Sequence, residues 1–67
     1  MSIARVTEIS SSSSKGFDDA IEKGIKRAAK TIRNIEGAWV KDQKMVIKKN
    51  KITEYRVIMK ISFVIDN

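Results

Sequence analysis

The stretch Ile52-Thr53-Glu54-Tyr55-Arg56-Val57-Ile58-Met59-Lys60-Ile61-Ser62-Phe63-Val64-Ile65-Asp66 decides the fold. Tyr55, Val57, Met59, Ile61, Phe63 and Ile65 occur at every second position without a break. Successive side chains of a β-strand point to opposite faces, so these residues form one apolar face. Glu54, Arg56, Ile58, Lys60, Ser62 and Val64 form the other, which is mixed rather than polar. Upstream, Ala38 to Lys48 reads as a preceding strand, and Lys49-Asn50-Lys51 as the turn that makes the two a hairpin. In that preceding strand Ala38 and Val40 take one side, while Trp39, Lys41, Gln43, Met45 and Ile47 take the other.

An apolar strand face needs a cover, and the middle of the chain supplies one. From about Lys15 to Asn34 the spacing predicts a helix, because Phe17, Ile21, Gly24, Ala28, Ile32 and Ile35 recur at intervals of three and four. Asp18, Asp19 and Glu22 come first and Lys26, Arg27, Lys30 and Arg33 last, as the helix macrodipole favours. Gly24 costs about 1 kcal/mol against alanine inside a helix, which close approach by a strand explains. Asn34 and Gly37 mark the exit. Ile3 to Ile9 is rich in β-formers and reads as a first strand. The run Ser10 to Ser14 then reads as a tight connection whose hydroxyl caps the helix. The order is β-α-β-β, an α+β fold in a single domain over residues 1–67. One helix covers one face, so apolar residues on the second face meet water, a ligand or another subunit.

Size points the same way. A chain of 67 residues buries only about 60% of the surface its unfolded form exposes, and small domains recover the deficit with disulfides, metals or association. Cys and His are absent, which excludes disulfides, zinc ribbons, thiol nucleophiles and imidazole bases. Association remains. No apolar run approaches the ~20 residues of a membrane-spanning helix, and Met1-Ser2-Ile3-Ala4-Arg5-Val6 lacks the apolar core of a secretory signal. A cytoplasmic, non-membrane protein is the expectation. Nothing in the sequence pairs an acid with a base or forms a phosphate-cradling glycine loop, so an enzyme is not expected.

Fourteen Lys and Arg against eight Asp and Glu leave a net charge of +6. Lys41, Lys44, Lys48, Lys49 and Lys51 surround the hairpin turn, and Arg56 and Lys60 follow it. Nucleic acid is the weaker explanation, since only Trp39 and Tyr55 are available near this cluster and no Gly-Phe ribonucleoprotein signature is present. Trp39 reads either as a subunit-interface anchor or as a stacking platform for a planar ligand. The two are compatible when the ligand sits at the interface.

Arg5-Val6-Thr7-Glu8-Ile9, a serine-ending turn, Ala20-Ile21 and Tyr55-Arg56-Val57, taken in this order and spacing, resemble the dodecins. Ser11-Ser12-Ser13 falls where that family has Gly-Thr-Ser, and Lys60 to Ile65 is similar to its final strand. The resemblance implies a three-stranded antiparallel sheet wrapped partly around one helix, and twelve protomers in a hollow shell, a homododecamer. It also implies a non-enzymatic storage protein whose first-choice ligand is flavin, FMN or riboflavin, bound in pairs between tryptophans of the second strand. Aligned on Asp42-Gln43 and Tyr55, Gly37 stands where flavin binders place the stacking Trp. Trp39 stands two residues later, and Arg56 replaces the usual Gln. Residues two apart share a strand face about 6.5–7 Å apart, so a displaced stack is geometrically possible.

On this resemblance Trp39 stacks on the ring and Gln43 bonds its polar edge, with Lys41 beside them. Arg56 contacts a phosphate or an anionic ring edge, and Asp42 holds an ordered water or cation. A branch of the family shares the Tyr-Arg pattern, lacks the flavin tryptophan and is associated with calcium or other small ligands. The alternative is therefore an assembly that does not bind flavin and serves calcium, a CoA-like nucleotide or another small ligand. Asp42, Glu54 and Asp66 would serve calcium only if subunits bring them together, because calcium takes several oxygen ligands at one site. The net positive charge argues for an anionic ligand.

Overall fold

The computed structural model describes residues 3–65. Its elements are β1 (Ile3–Ser13), α1 (Phe17–Ala29), β2 (Ile35–Lys48) and β3 (Lys51–Ile65). The strands form one antiparallel sheet in the order β1-β3-β2. The uninterrupted stripe of β3 explains its central place: Val57, Met59 and Ile61 are essentially fully buried beneath α1. The helix presents Ala20, Gly24 and Ala28 to the sheet, small residues four apart that let the backbones approach. A Cβ built on Gly24 would stand 2.6 Å from Met59 Cε and 3.0 Å from Ser11 Cβ. Close approach is therefore the reason for that glycine. Phe17 packs edge-on against Tyr55 with ring centroids 5.1 Å apart, and Ile9, Ile21 and Ile25 fill the flanks.

The serine run has another role than the one its composition predicts. Ser10 to Ser13 are strand residues, paired rung by rung with Ile58, Val57, Arg56 and Tyr55. Paired residues share a face, so Ser11 lies with Val57 under the helix, where a larger side chain would hold α1 away. The helix cap is Gly16, in extended backbone with no side-chain cap bond. Ser13 acts beside it: its hydroxyl accepts from the Lys15 N–H at 2.9 Å and donates to the Asp19 carboxylate at 2.5 Å.

At its far end α1 stops at Ala29, well before Asn34. The Ile32 N–H still reaches the Ala28 carbonyl at 2.8 Å, but β-branched Thr31 and Ile32 are poor helix formers. Asn34, at φ 60°, then turns the chain into β2. Asn34 is tied to Val64 through its carbonyl at 3.1 Å and its side-chain amide at 3.3 Å. Ile35 consequently opens β2 opposite Phe63 instead of continuing the helix face. The end expected for the last strand, Asp66, lies outside the described residues.

The hairpin turn contains two residues rather than three. Lys49 and Asn50 have φ of 52° and 63°, and Lys48 pairs with Lys51, the arrangement of a type I′ turn. A left-handed lysine costs roughly 1–2 kcal/mol, and Asn-Gly is the favoured I′ pair. Lys49→Asn with Asn50→Gly is expected to stabilise the protein by about 1 kcal/mol and raise its melting temperature by roughly 4–8 °C, read by thermal unfolding.

Hydrogen bonds from Ser13 and then Lys23 hold the Asp19 carboxyl below its ordinary value. A depressed carboxylate pKa contributes stability that is fully present above the unfolded value, roughly pH 4, and is lost as pH falls through the folded value. Between about pH 5 and about pH 2.5 the native chain should therefore lose more melting temperature than Asp19→Asn.

The protomer is long and thin, 52 × 19 × 13 Å. Its radius of gyration is 13.9 Å, against about 11 Å expected of a compact chain of this length. The helix packs on β1 and β3, so β2 lies beyond its cover. Trp39, Val40, Met45 and Ile47 of that strand are exposed large apolar residues, joined by Ile52, Ile3 and Val6. Among the described residues no helix is long and apolar enough to cross a membrane.

Candidate ligand-binding face

The face of the sheet turned away from α1 is built in rungs across β2, β3 and β1. Gly37, Ser62 and Val6 form one rung, and Trp39, Lys60 and Glu8 the next. Asp42, Ile58 and Ser10 follow, then Lys44, Arg56 and Ser12, with Val46 and Glu54 last. One irregularity sets this order. Val40 pairs with Met59 but Asp42 with Ile58, so Lys41 is an extra residue, a β-bulge. The Lys41 ammonium meets Glu8 Oε1 at 3.3 Å, which places Lys41 on this same face.

The bulge corrects one sequence expectation. In an unbroken strand Trp39, Lys41, Gln43 and Met45 share a face. In the structure Trp39, Lys41, Asp42 and Lys44 do so, while Gln43 and Met45 pair with Val57 and Tyr55 on the helix side. Gln43 therefore does not stand beside Trp39. Equally, Trp39 and Arg56 are separated by four residues of β3, which is about 13–14 Å at 3.4 Å per residue.

Trp39 is 49% exposed and sits opposite Lys60. One rung toward the end of β3, the Ser62 hydroxyl donates to the Gly37 carbonyl at 3.3 Å. A Cβ on Gly37 would meet only that hydroxyl, at 3.2 Å. In the other direction lies a half-open groove of about 480 Å³ whose lining includes Ser10, Ser12, Asp42, Gln43, Lys44 and Arg56, so it draws on residues of both sheet faces. Arg56 forks onto Glu54, with Nε and Nη2 each 3.3 Å from a carboxylate oxygen. The Arg56 bond first, then Ser12, holds the Glu54 carboxyl below the ordinary range. Any anion bound by Arg56 must compete with Glu54 or use Lys44 of the same rung.

The structure thus gathers Asp42, Gln43, Lys44 and Arg56 around one groove, while Trp39 and Lys41 lie outside its lining, Trp39 one rung beyond Asp42. The contribution of Lys44, Ser10 and Ser12 escapes a reading of local sequence, and only the cross-strand register reveals it. Among the described residues no group of three or more acids is placed to hold a metal. Asp42 and Glu54 stand four β3 residues apart, again about 13–14 Å, and Asp66 lies outside the described residues. One protomer alone therefore brings no calcium site together from Asp42 and Glu54.

The family model described as Dodecin matches residues 3–66. A dodecin from Streptomyces davaonensis is 33% identical, with a TM-score of 0.94 over 98% of this chain and 97% of that one. A variant of the Thermus thermophilus dodecin is 25% identical, with a TM-score of 0.94 over 100% of both chains. The Mycobacterium tuberculosis calcium dodecin, a calcium-chelating antigen, shares the fold at 23% identity and a TM-score of 0.84, over 96% of this chain and 91% of that one. A comparison with curated proteins gave no match.

Proposed function

The chain belongs to the dodecin family, and from that premise we propose that it is a non-enzymatic homododecamer that binds and stores a small planar ligand, flavin first. The observation that carries this reading is Trp39, half exposed on the face away from the helix, one rung beyond Asp42 of the groove. An offset ring on the indole is the favoured aromatic geometry. A ring stacked there lies one rung from Asp42. Arg56 and Lys44, two rungs away, suit a phosphate tail rather than the ring edge. Gln43 pairs with Val57 rather than standing beside Trp39, yet it lines the same groove as Asp42 and Lys44. The thin protomer and its uncovered β2 support assembly, which buries apolar surface that a single helix leaves open.

Titration of the purified protein with FMN and riboflavin tests the reading. Flavin fluorescence should be quenched, and FMN should bind more tightly than riboflavin if the Lys44–Arg56 rung holds its phosphate. Fluorescence unchanged up to tens of micromolar protein would end the flavin assignment.

The engagement of Arg56 by Glu54 favours a second reading, in which the assembly serves calcium, a CoA-like nucleotide or another small ligand and Trp39 packs between subunits. Trp39→Ala separates the two. Under the flavin reading the variant elutes at the native size in size-exclusion chromatography and no longer quenches flavin. Under the second it elutes as smaller species.

A further inference from the structure

We propose that the groove between α1 and the free edge of β1 binds the phosphodiester backbone of single-stranded nucleic acid, a surface distinct from the Trp39 face. From Lys23 to Arg33 the chain carries five cations, Lys23, Lys26, Arg27, Lys30 and Arg33, and no acid. The helix acids Asp18, Asp19 and Glu22 all precede them. Lys23 and Arg27 stand at i and i+4 of α1, about 6 Å apart along the axis at 1.5 Å per residue. Lys30, the right-handed C-cap residue just beyond Ala29, continues their line outside the lining of the groove. Lys23 and Arg27 line a groove of about 490 Å³ together with Ser11, Thr31, Ile9 and Ile32.

The groove is open on the β1 side. In the order β1-β3-β2 the strand is an edge, so half of its backbone groups face away from β3 and can receive a ligand. Among the described residues the ion pairs are Lys23–Asp19, Lys41–Glu8 and Arg56–Glu54. Arg27 and Lys30 have no carboxylate partner among them. The α1 C-terminus opposes an anion with a partial charge of about −0.5, which the surrounding cations outweigh. Arg27 offers the planar fork that matches phosphate oxygens, and Ile9 and Ile32 offer apolar surface to bases. Lys23 and Arg27 are exposed but border β1 across the groove, so the sheet edge beside them keeps α1 from entering the major groove of a duplex. A repeating single strand fits the repeat of cations.

The test is fluorescence anisotropy with a labelled oligouridine of about twenty nucleotides, a length that spans more than one binding site, on protein whose assembly is verified by size exclusion. Binding should weaken linearly in log–log form with salt, the slope giving about 0.7 per phosphate contact. The triple variant Lys23→Gln, Arg27→Gln, Lys30→Gln should lower affinity at least tenfold at low salt. Lys48→Gln, Lys49→Gln, Lys51→Gln removes the same charge from the hairpin tip and should change affinity less than threefold. Arg27→Lys alone keeps the charge but loses the fork, so it should weaken binding by less than the triple and keep the same salt slope. Equal losses in the two triples, absence of binding at low salt, or equal competition by polyglutamate or duplex RNA would each overturn the proposal. FMN quenching, read in the same samples, should be unaffected by the groove triple, so the two sites fail independently.

Discussion

Met59→Ala should destabilise the protein by about 2–5 kcal/mol, and adding Gly24→Ala should restore part of that loss. Met59 is 1% exposed, and its terminal methyl lies where a Cβ on Gly24 would go. Truncation leaves a cavity bounded by α1, β1 and β3. In a core this small, which rarely supplies more than about 3–5 kcal/mol, the loss removes most of the stability of an isolated protomer. Gly24→Ala alone gains about 1 kcal/mol of helix propensity against an overpacking cost of roughly 1–3 kcal/mol. The Met59 methyl can swing, but Ser11 Cβ, tethered to a paired strand, cannot, so the single variant should be destabilised. In the double variant the new methyl enters the vacated space. The cycle should show a coupling of at least about 1 kcal/mol in urea unfolding. Additive effects would mean that Gly24 is not set by contact with Met59.

These expectations rest on parts of the fold that are plain in the sequence. The apolar alternation of β3 and the three-and-four spacing of Phe17, Ile21, Gly24 and Ala28 are each periodic, so each points to its buried face without knowledge of its partner. The fully buried Ala20 falls outside that helical series. The serine run is different. Local rules read five serines as a turn and a cap, because serine competes with the backbone for hydrogen bonds. What holds Ser10 to Ser13 in the sheet is non-local: β3 continues to offer rungs as far as Tyr55, and a helix at Gly24 demands small residues beneath it. Periodicity overstates the helix length for a similar reason. Ile32 and Ile35 keep the helical period, yet Asn34 adopts the left-handed conformation that lets β2 begin opposite Phe63.

The bulge at Lys41 is the least legible feature and matters most for the site. No glycine or proline marks it, and it exists only as a mismatch between two registers, Val40 with Met59 and Asp42 with Ile58. One added residue reverses the facing of all that follows until the next irregularity. Gln43 is thereby moved away from Trp39, and Lys44 is brought beside Arg56. A mixed strand such as β2 carries too little alternation to betray the shift.

Gly37→Trp should tighten flavin binding by about tenfold or more, because one aromatic stack on a planar base is worth roughly 1–3 kcal/mol. Position 37 is where the resemblance places the stacking tryptophan, and it shares the outer face with Trp39 about 6.5–7 Å away. The backbone of Gly37 is not in the left-handed region, and a Cβ there meets only the Ser62 hydroxyl, at 3.2 Å. That hydroxyl can rotate away, giving up its bond to the Gly37 carbonyl, a net loss of about 1 kcal/mol. The substitution should therefore leave folding and assembly nearly intact while adding a second ring to the face. Flavin quenching titrations of the native chain, Gly37→Trp, and Gly37→Trp with Trp39→Ala distinguish what each indole does. If Trp39 stacks the ring by itself, its loss from the double variant should cost affinity even with the introduced indole in place. If Trp39 serves subunit packing, the double variant should lose its assembly before its flavin. A Gly37→Trp protein that assembles normally yet leaves flavin fluorescence untouched would show that the ligand of this face is not a flavin. Lys44 and Arg56, two rungs from Trp39, would then be the place to search for it, with anionic ligands that lack a large ring.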